Sequence, residues 1–189
     1  MSNVRNINLQ FDLGQILNDV LVKCNLISSG IKDEAQADIR ATIMAPDSPE
    51  TRSIINRALT EAFGNVKVAC QRYLKTGRTS DNNMLERMVR SVTYIVDDQG
   101  QTTDEIDTIT YETVQLDLYI PNFNVSVTDA LKSSIHKYVV DYIMGRFLQD
   151  QYADKAGEYA TLAEEKDYPQ IISNLNSPER FNVRKPSWI

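Results

Sequence analysis

TVQLDLYIPNFNVSVTDALKSSIHKYVVDYIMGRFLQ, residues 113–149, changes its hydrophobic period halfway along. Val114, Leu116, Leu118 and Ile120 alternate with Gln115 and Asp117, the pattern of a strand with one buried face. Beyond Pro121 the spacing lengthens to three and four, and Leu131, Ile135, Val139, Ile143, Phe147 and Leu148 form a helical stripe with Ser126 or Thr128 available as its cap. A strand that runs almost directly into a long helix predicts an α+β chain that is mainly α. The helical pattern continues through ADKAGEYATLAEEK (153–166), either as one helix of nearly forty residues or with a break near Gln151, and Pro169 is expected to end it. In that second half Tyr152, Ala156, Tyr159, Ala160 and Ala163 make a thin face suited to packing, while Gly145 and Gly157 mark points of bending or close approach.

Toward the N-terminus, FDLGQILNDVLVKCNLISSG (11–30) sets Leu13, Ile16, Leu17, Val20, Leu21, Cys24 and Ile27 on one face and stops at Gly30. DSPETRSIINRALTEAFGNVKVACQRYLKTG (47–77) carries a full set of helix signals: Ser48 as cap, Pro49 in the first turn, Glu50 at the positive end of the dipole and Gly77 at the exit. Gly64 interrupts it at a cost of about 1 kcal/mol, which close packing against another helix would explain. IKDEAQADIRATIMAPDS (31–48) reads as a connector, weakly helical to Arg40 and β-prone over ATIM.

RSVTYIVDD (90–98) alternates like a strand and is expected to pair with 113–121, giving an antiparallel β-hairpin over about 88–120. The intervening DDQGQTTDEIDTITYE (97–112) has six acids and no base, and it lacks the ligand spacing of a calcium loop. It reads as a solvated hairpin tip, or as an acidic finger presenting Asp97, Asp98, Asp104, Glu105 and Asp107 to a partner or a conduit. The expected organisation is a bundle of about three long helices with the inserted hairpin, residues 1–176, followed by an extended C-terminal arm, 177–189.

That arm, SPERFNVRKPSWI, contains two prolines that bias it to an extended form, and with them Phe181, Val183 and the single tryptophan, Trp188. Arg180, Arg184 and Lys185 against Glu179 give it a charge of +2, which leaves −6 − 2 = −8 on residues 1–176. Such a segment either docks on a partner or closes onto its own helices.

Chemistry is restricted by composition. An acidic chain of net charge −6 does not favour DNA, RNA or anionic membrane, and no apolar run approaches the roughly 20 residues of a span. The N-terminus lacks a secretory pattern, so export is not expected. Cys24 and Cys70, each in an apolar helical stretch, read as buried thiols. His136, the single histidine, has no nucleophile motif beside it and reads as a part-buried helix residue. No glycine-rich phosphate loop can be written, and the neighbouring carboxylates Asp97 with Asp98 and Glu164 with Glu165 read as solvated. No cofactor and no catalytic set is expected; the chain reads as one that works by binding.

The helical body, the strand and long helix of 113–149, the following ADKAGEYATLAEEK and the extended arm together resemble the head-to-tail connector proteins of tailed bacteriophages, most closely the adaptor or neck subunits of phages and prophages of gut Bacteroidetes. The resemblance covers residues 110–189 in pattern and the N-terminal half in layout. It implies a structural virion protein, assembled in the host cytoplasm into a homo-oligomeric ring, commonly of twelve copies, between the portal and the tail or neck proteins. It also implies that genomic DNA passes without sequence-specific binding, and that Arg180, Phe181, Val183, Arg184, Lys185 and Trp188 dock on the portal. A tail-side completion or terminator protein is the nearest alternative; a helical regulator or a carboxylate enzyme are the rivals from other classes.

Overall fold

In the computed structural model, which describes residues 4–31, 37–44, 49–74, 88–96, 102–111 and 113–177, the strand Thr113–Pro121 (β4) pairs with the first described segment of the chain, Val4–Asp12 (β1). The two run antiparallel with Ile7 opposite Leu118, Leu9 opposite Leu116 and Phe11 opposite Val114, all buried, while Asn6, Asn8 and Gln10 face outward. The expected pairing of 90–98 with 113–121 is therefore corrected. β1 supplies a partner whose apolar residues alternate from Ile7 to Phe11, so pairing with β4 buries both faces that need burial. Asn8 donates to the Asp117 carboxylate across the outer face. On the far edge of β4, Leu74 forms a bridge with Leu118, and the Tyr119 N–H donates to the Tyr73 carbonyl at 2.6 Å.

Met88–Val96 (β2) instead pairs with Thr102–Tyr111 (β3), so the hairpin ends near Tyr111 and most of the expected acidic tip is strand. The register is regular from Met88 opposite Tyr111 to Ile95 opposite Asp104, where an irregularity shifts the pairing of Val96 to Thr102. Four threonines, two isoleucines and a tyrosine among the ten residues of β3 outweigh its three acids as a backbone preference. The hairpin is an insertion between the second long helix and β4.

Helix Leu13–Gly30 (α1) follows β1 without a loop, because Asp12 ends the strand and its Oδ1 accepts from the Gln15 N–H at 3.2 Å. Ala37–Met44 (α2) is helical through ATIM, the stretch expected to be β-prone; Ile43 there is fully buried in the core. Pro49–Cys70 (α3) ends at Cys70, short of the expected exit at Gly77, which lies outside the described residues, as does the proposed cap Ser48.

Thr128–Leu148 (α4) is the central helix: Leu131, Ile135, Val139, Val140, Ile143, Met144 and Phe147 bury nearly every side of it. Its expected cap is corrected. Asn124 caps a short 3-10 turn, Val125–Val127, by accepting from the Ser126 N–H, and α4 grows out of that turn with no side-chain cap of its own. Asn122, with φ of 54°, makes the corner after β4 in the left-handed region that asparagine tolerates.

The chain breaks at residues 149–152 and then runs helically from Ala153 to Leu175 as Ala153–Thr161 (α5), a π turn at Leu162–Asp167 and Tyr168–Leu175 (α6). The expected stop at Pro169 is corrected by that π turn. The Tyr168 N–H reaches the Ala163 carbonyl five residues back, and the wider turn accommodates a proline whose ring would clash in a regular helix. The chain is thus α+β and mainly α, with α1, α3 and the 153–175 run packed around α4.

The two glycines expected at helix contacts differ. Nothing lies within 4 Å of a Cβ placed on Gly64, so no contact within the described chain accounts for it. A Cβ on Gly145 would meet the Ala160 backbone nitrogen at 3.2 Å and the Ala156 carbonyl oxygen at 3.5 Å, because α4 and α5 cross there with almost nothing between them. Gly145→Leu is expected to lower the unfolding free energy by about 2 kcal/mol through overpacking. Thermal melting reads this, and a variant that melts with the parent would show that the crossing can relax.

Candidate functional site

Of the residues singled out from sequence, Arg180, Phe181, Val183, Arg184, Lys185 and Trp188 lie outside the described residues, as do Asp97 and Asp98. The arm leaves the body at a defined point. The Ser177 carbonyl accepts from the Asn124 N–H at 3.3 Å, and the Ser177 N–H donates to the Asn174 carbonyl, so its root sits beside the start of α4. Asp104, Glu105 and Asp107 fall on β3 opposite Ile95, Tyr94 and Val92. Counting Arg90 against Asp97, Asp98, Asp104, Glu105 and Asp107, residues 88–111 carry a net charge of −4.

The helices bring together a set of charges that the sequence reading missed. Asp141 on α4 and Asp167 at the end of the π turn are 1% and 4% exposed, and each gives one oxygen to a lysine. Lys23 of α1 pairs with Asp141, and its ammonium also stands 5.0 Å over the Tyr159 ring; Lys137 pairs with Asp167 at 2.7 Å. Burial pushes the Asp141 carboxyl above its ordinary range, with Asp167 adding to the push and Lys23 opposing it. Its hydrogen bond to the Asp167 carboxylate raises the Lys137 pKa in turn. His136 meets Asp19 of α1 at 2.7 Å and is part-buried, as expected of it. These pairs tie α1, α4 and the 153–175 run to one another.

Two concave regions flank the central helix. One, of about 410 Å³, is lined by Ser133, Ser134, Lys137, Asp167, Gln170 and Asn174, with Ala130 and Lys166. Its groups are engaged with one another: Asn174 donates to Ser134 Oγ and to the Ala130 carbonyl, Gln170 donates to Asn174, and Lys137 holds Asp167. The other, of about 360 Å³, has a floor of Gly145, Ala153, Ala156, Gly157 and Ala160 with Tyr142, Arg146 and Glu164 at its rim. Arg146 is committed to Glu61 of α3 at 3.3 Å and to the Tyr142 ring at 5.5 Å. Neither region offers a nucleophile held by a base; what they offer is shape and a few paired charges.

The thiols are in keeping with this. Cys24 and Cys70 are buried, with pKa values pushed up by burial to about 11 and about 12, and Cys24 Sγ lies 3.8 Å from Met144 Sδ. Among the described residues no group of three or more His, Cys, Asp or Glu side chains is placed to hold a metal ion, and no helix is long and apolar enough to cross a membrane. No protein-family model matches the chain, and no curated protein or solved structure is significantly similar to it.

Proposed function

We propose that the chain is a subunit of an oligomeric ring, the adaptor or neck, that joins the portal of a tailed-bacteriophage capsid to the tail and surrounds the passing DNA. One observation carries the reading: an antiparallel hairpin of net charge −4 is inserted between α3 and the strand that runs straight into the central helix of an otherwise helical body. A hairpin is a compact way to extend a rigid body inward, and an acidic surface repels phosphate, so a duplex passing such a ring slides without sticking. The basic, aromatic segment after Ser177 complements this as an anchor for the portal, because Trp and Arg supply most hot-spot binding energy and an extended segment can lay main chain along a partner.

Native mass measurement and imaging of the purified full chain test the reading. The expected result is a closed multiple of the 21.5 kDa subunit with a central channel. In an electrophoretic assay at about 50 mM salt, duplex DNA should show no shift. A chain that stays single at all concentrations with the portal present, or that binds duplex tightly, overturns it.

A further inference from the structure

Lys23 reaches Oδ1 of Asp141, and Lys137 reaches Oδ1 of Asp167 at 2.7 Å. The second oxygen of each carboxyl, Oδ2, is buried and has no donor among the described residues. The two carboxyls also lie within hydrogen-bonding reach of one another. Two ionised carboxylates at that range, in a site closed to water, repel and leave two buried acceptors unmet. One proton removes both costs. We infer that Asp141 and Asp167 share a single proton in an O–H···O bond between their Oδ2 atoms, and that this bond is a pH-sensitive latch holding the π turn and α6 against α4. The carboxylic O–H of one residue donates to the carboxylate of the other, so each orphan oxygen gains a partner and the buried negative charge falls from two to one.

The groups packed around the pair leave that proton in place. Lys23 comes from α1 and Lys137 from α4 itself; both ammonium groups are spent on the Oδ1 atoms and donate nothing to the Oδ2 side. Tyr159 of α5 stands beside Asp141 and under Lys23, and burial holds its hydroxyl neutral. Cys24 of α1 is buried and equally neutral, with its pKa pushed up to about 11. The remaining polar groups turn elsewhere: His136 to Asp19, Asn65 of α3 and Tyr168 of α6 to Tyr138, and Glu164 of the π turn toward Tyr138 and Arg146. The titration therefore belongs to the two aspartates as a unit.

The place of Asp167 in the chain makes the bond a latch. It is the last residue of the π turn Leu162–Asp167, the one irregular link in the run from Ala153 to Leu175. α6 follows at once and is tied down by Asn174, which donates to Ser134 Oγ and the Ala130 carbonyl, and by the Asn124 bond to Ser177 at the root of the arm. Asp141 titrates above its ordinary range in the folded chain, so the bridge is complete in acid and is lost as pH rises through that raised range. Above it, two facing carboxylates push the π turn from α4, and α6 and the arm root loosen with it. None of this depends on whether the chain forms a ring.

Infrared spectroscopy and hydrogen exchange on the full-length chain test this. In Asp167→Asn the amide nitrogen donates permanently to the Asp141 carboxylate while the amide oxygen still accepts from Lys137, so the latch stays closed without a proton. Asp141→Asn does the same from the other side, its oxygen facing Lys23. The parent is expected to show the C=O absorption of a buried carboxylic acid where exposed aspartates are ionised, and each variant to lose it. Between about pH 5 and about pH 9, where buried carboxyls release their protons, exchange of the 168–177 amides should rise at least tenfold beyond its intrinsic pH dependence, with α1 and α3 unchanged. In either variant that extra rise should vanish. If one variant does not fold, the other and the parent spectrum decide. A parent without the acid absorption overturns the shared proton, and an extra rise that persists in a folded variant overturns the latch.

Discussion

Ending the chain at Ser177 is expected to leave the melting temperature of the isolated subunit within about a degree of the parent and to weaken its attachment to the portal by at least a hundredfold. Ser177 is retained because its carbonyl receives the Asn124 N–H that opens the turn before α4, and losing that bond would blur the comparison. The size follows from the residues removed. A Trp or Arg anchor typically contributes 2 kcal/mol or more at the centre of an interface, so loss of Trp188 and Arg184 together corresponds to a factor of several hundred, with some overlap between them. Trp188→Ala alone should account for much of the loss, and Lys185→Ala, as a rim charge, for little, with its effect fading as salt rises. Sedimentation or surface-capture binding to the purified portal ring measures the first quantity and calorimetry the second. A truncated chain that melts several degrees lower would mean that Phe181 and Trp188 belong to its own core, and the docking arm would be abandoned.

The long amphipathic helices were legible because their faces repeat. The stripe of α4 recurs whole in the core, as do Leu13, Ile16, Val20 and Cys24 of α1 and Ile55, Ala58, Leu59, Ala62, Phe63, Val66 and Cys70 of α3, while Leu17 and Ile27 are partly buried and Ile54, at the start of the α3 pattern, is exposed. β1 was equally patterned, with Ile7, Leu9 and Phe11 alternating against Asn and Gln. Its signal is masked because Phe11 and Asp12 merge into the helical pattern that follows, and a strand's partner is chosen by long-range pairing that local pattern does not encode. β3 was hidden by composition: its acids suggested a loop, while its threonines and isoleucines held the backbone preference. Pro169 shows the reverse case, a strong local stop signal overridden by a π turn. For the charge cluster, Lys23 and Asp141 are 118 residues apart and no spacing rule could pair them. The available signal was Asp141 itself, an acid set between Val140 and Tyr142 in a helix otherwise buried there.

Lys23→Met is expected to destabilise the subunit by about 3 kcal/mol at neutral pH, a fall of roughly 6–12 °C in melting temperature for a chain of this size. Removing one partner of a buried ion pair leaves the other charge in a site that has excluded water. Asp141 is 1% exposed, and of its remaining charged neighbours Asp167 has the same sign while Lys137 is bound to Asp167. Because the Lys23 ammonium is partly open to solvent, the figure belongs at the lower end of the range for buried pairs. The pH dependence follows from the direction of the shift. The folded-state pKa of Asp141 lies above its unfolded value, so the native state holds a proton that the unfolded chain has released. The stability contributed by that group is complete below the ordinary aspartate range and is lost as pH rises through the raised value. Removing Lys23 takes away the influence that lowers the pKa, so the variant's deficit should shrink in acid, as the carboxyl takes up its proton, and grow toward pH 7. K23M/D141L replaces the pair with apolar side chains of similar bulk and should recover most of the loss at neutral pH, since neither charge is then buried alone. Denaturant unfolding of the parent, Lys23→Met, Asp141→Leu and K23M/D141L at pH 4 and pH 7 completes the cycle. Equal deficits for Lys23→Met at both pH values, or a double variant no more stable than the single one, would mean that the pair contributes through packing of the Lys23 stem on Tyr159 and not through its charge.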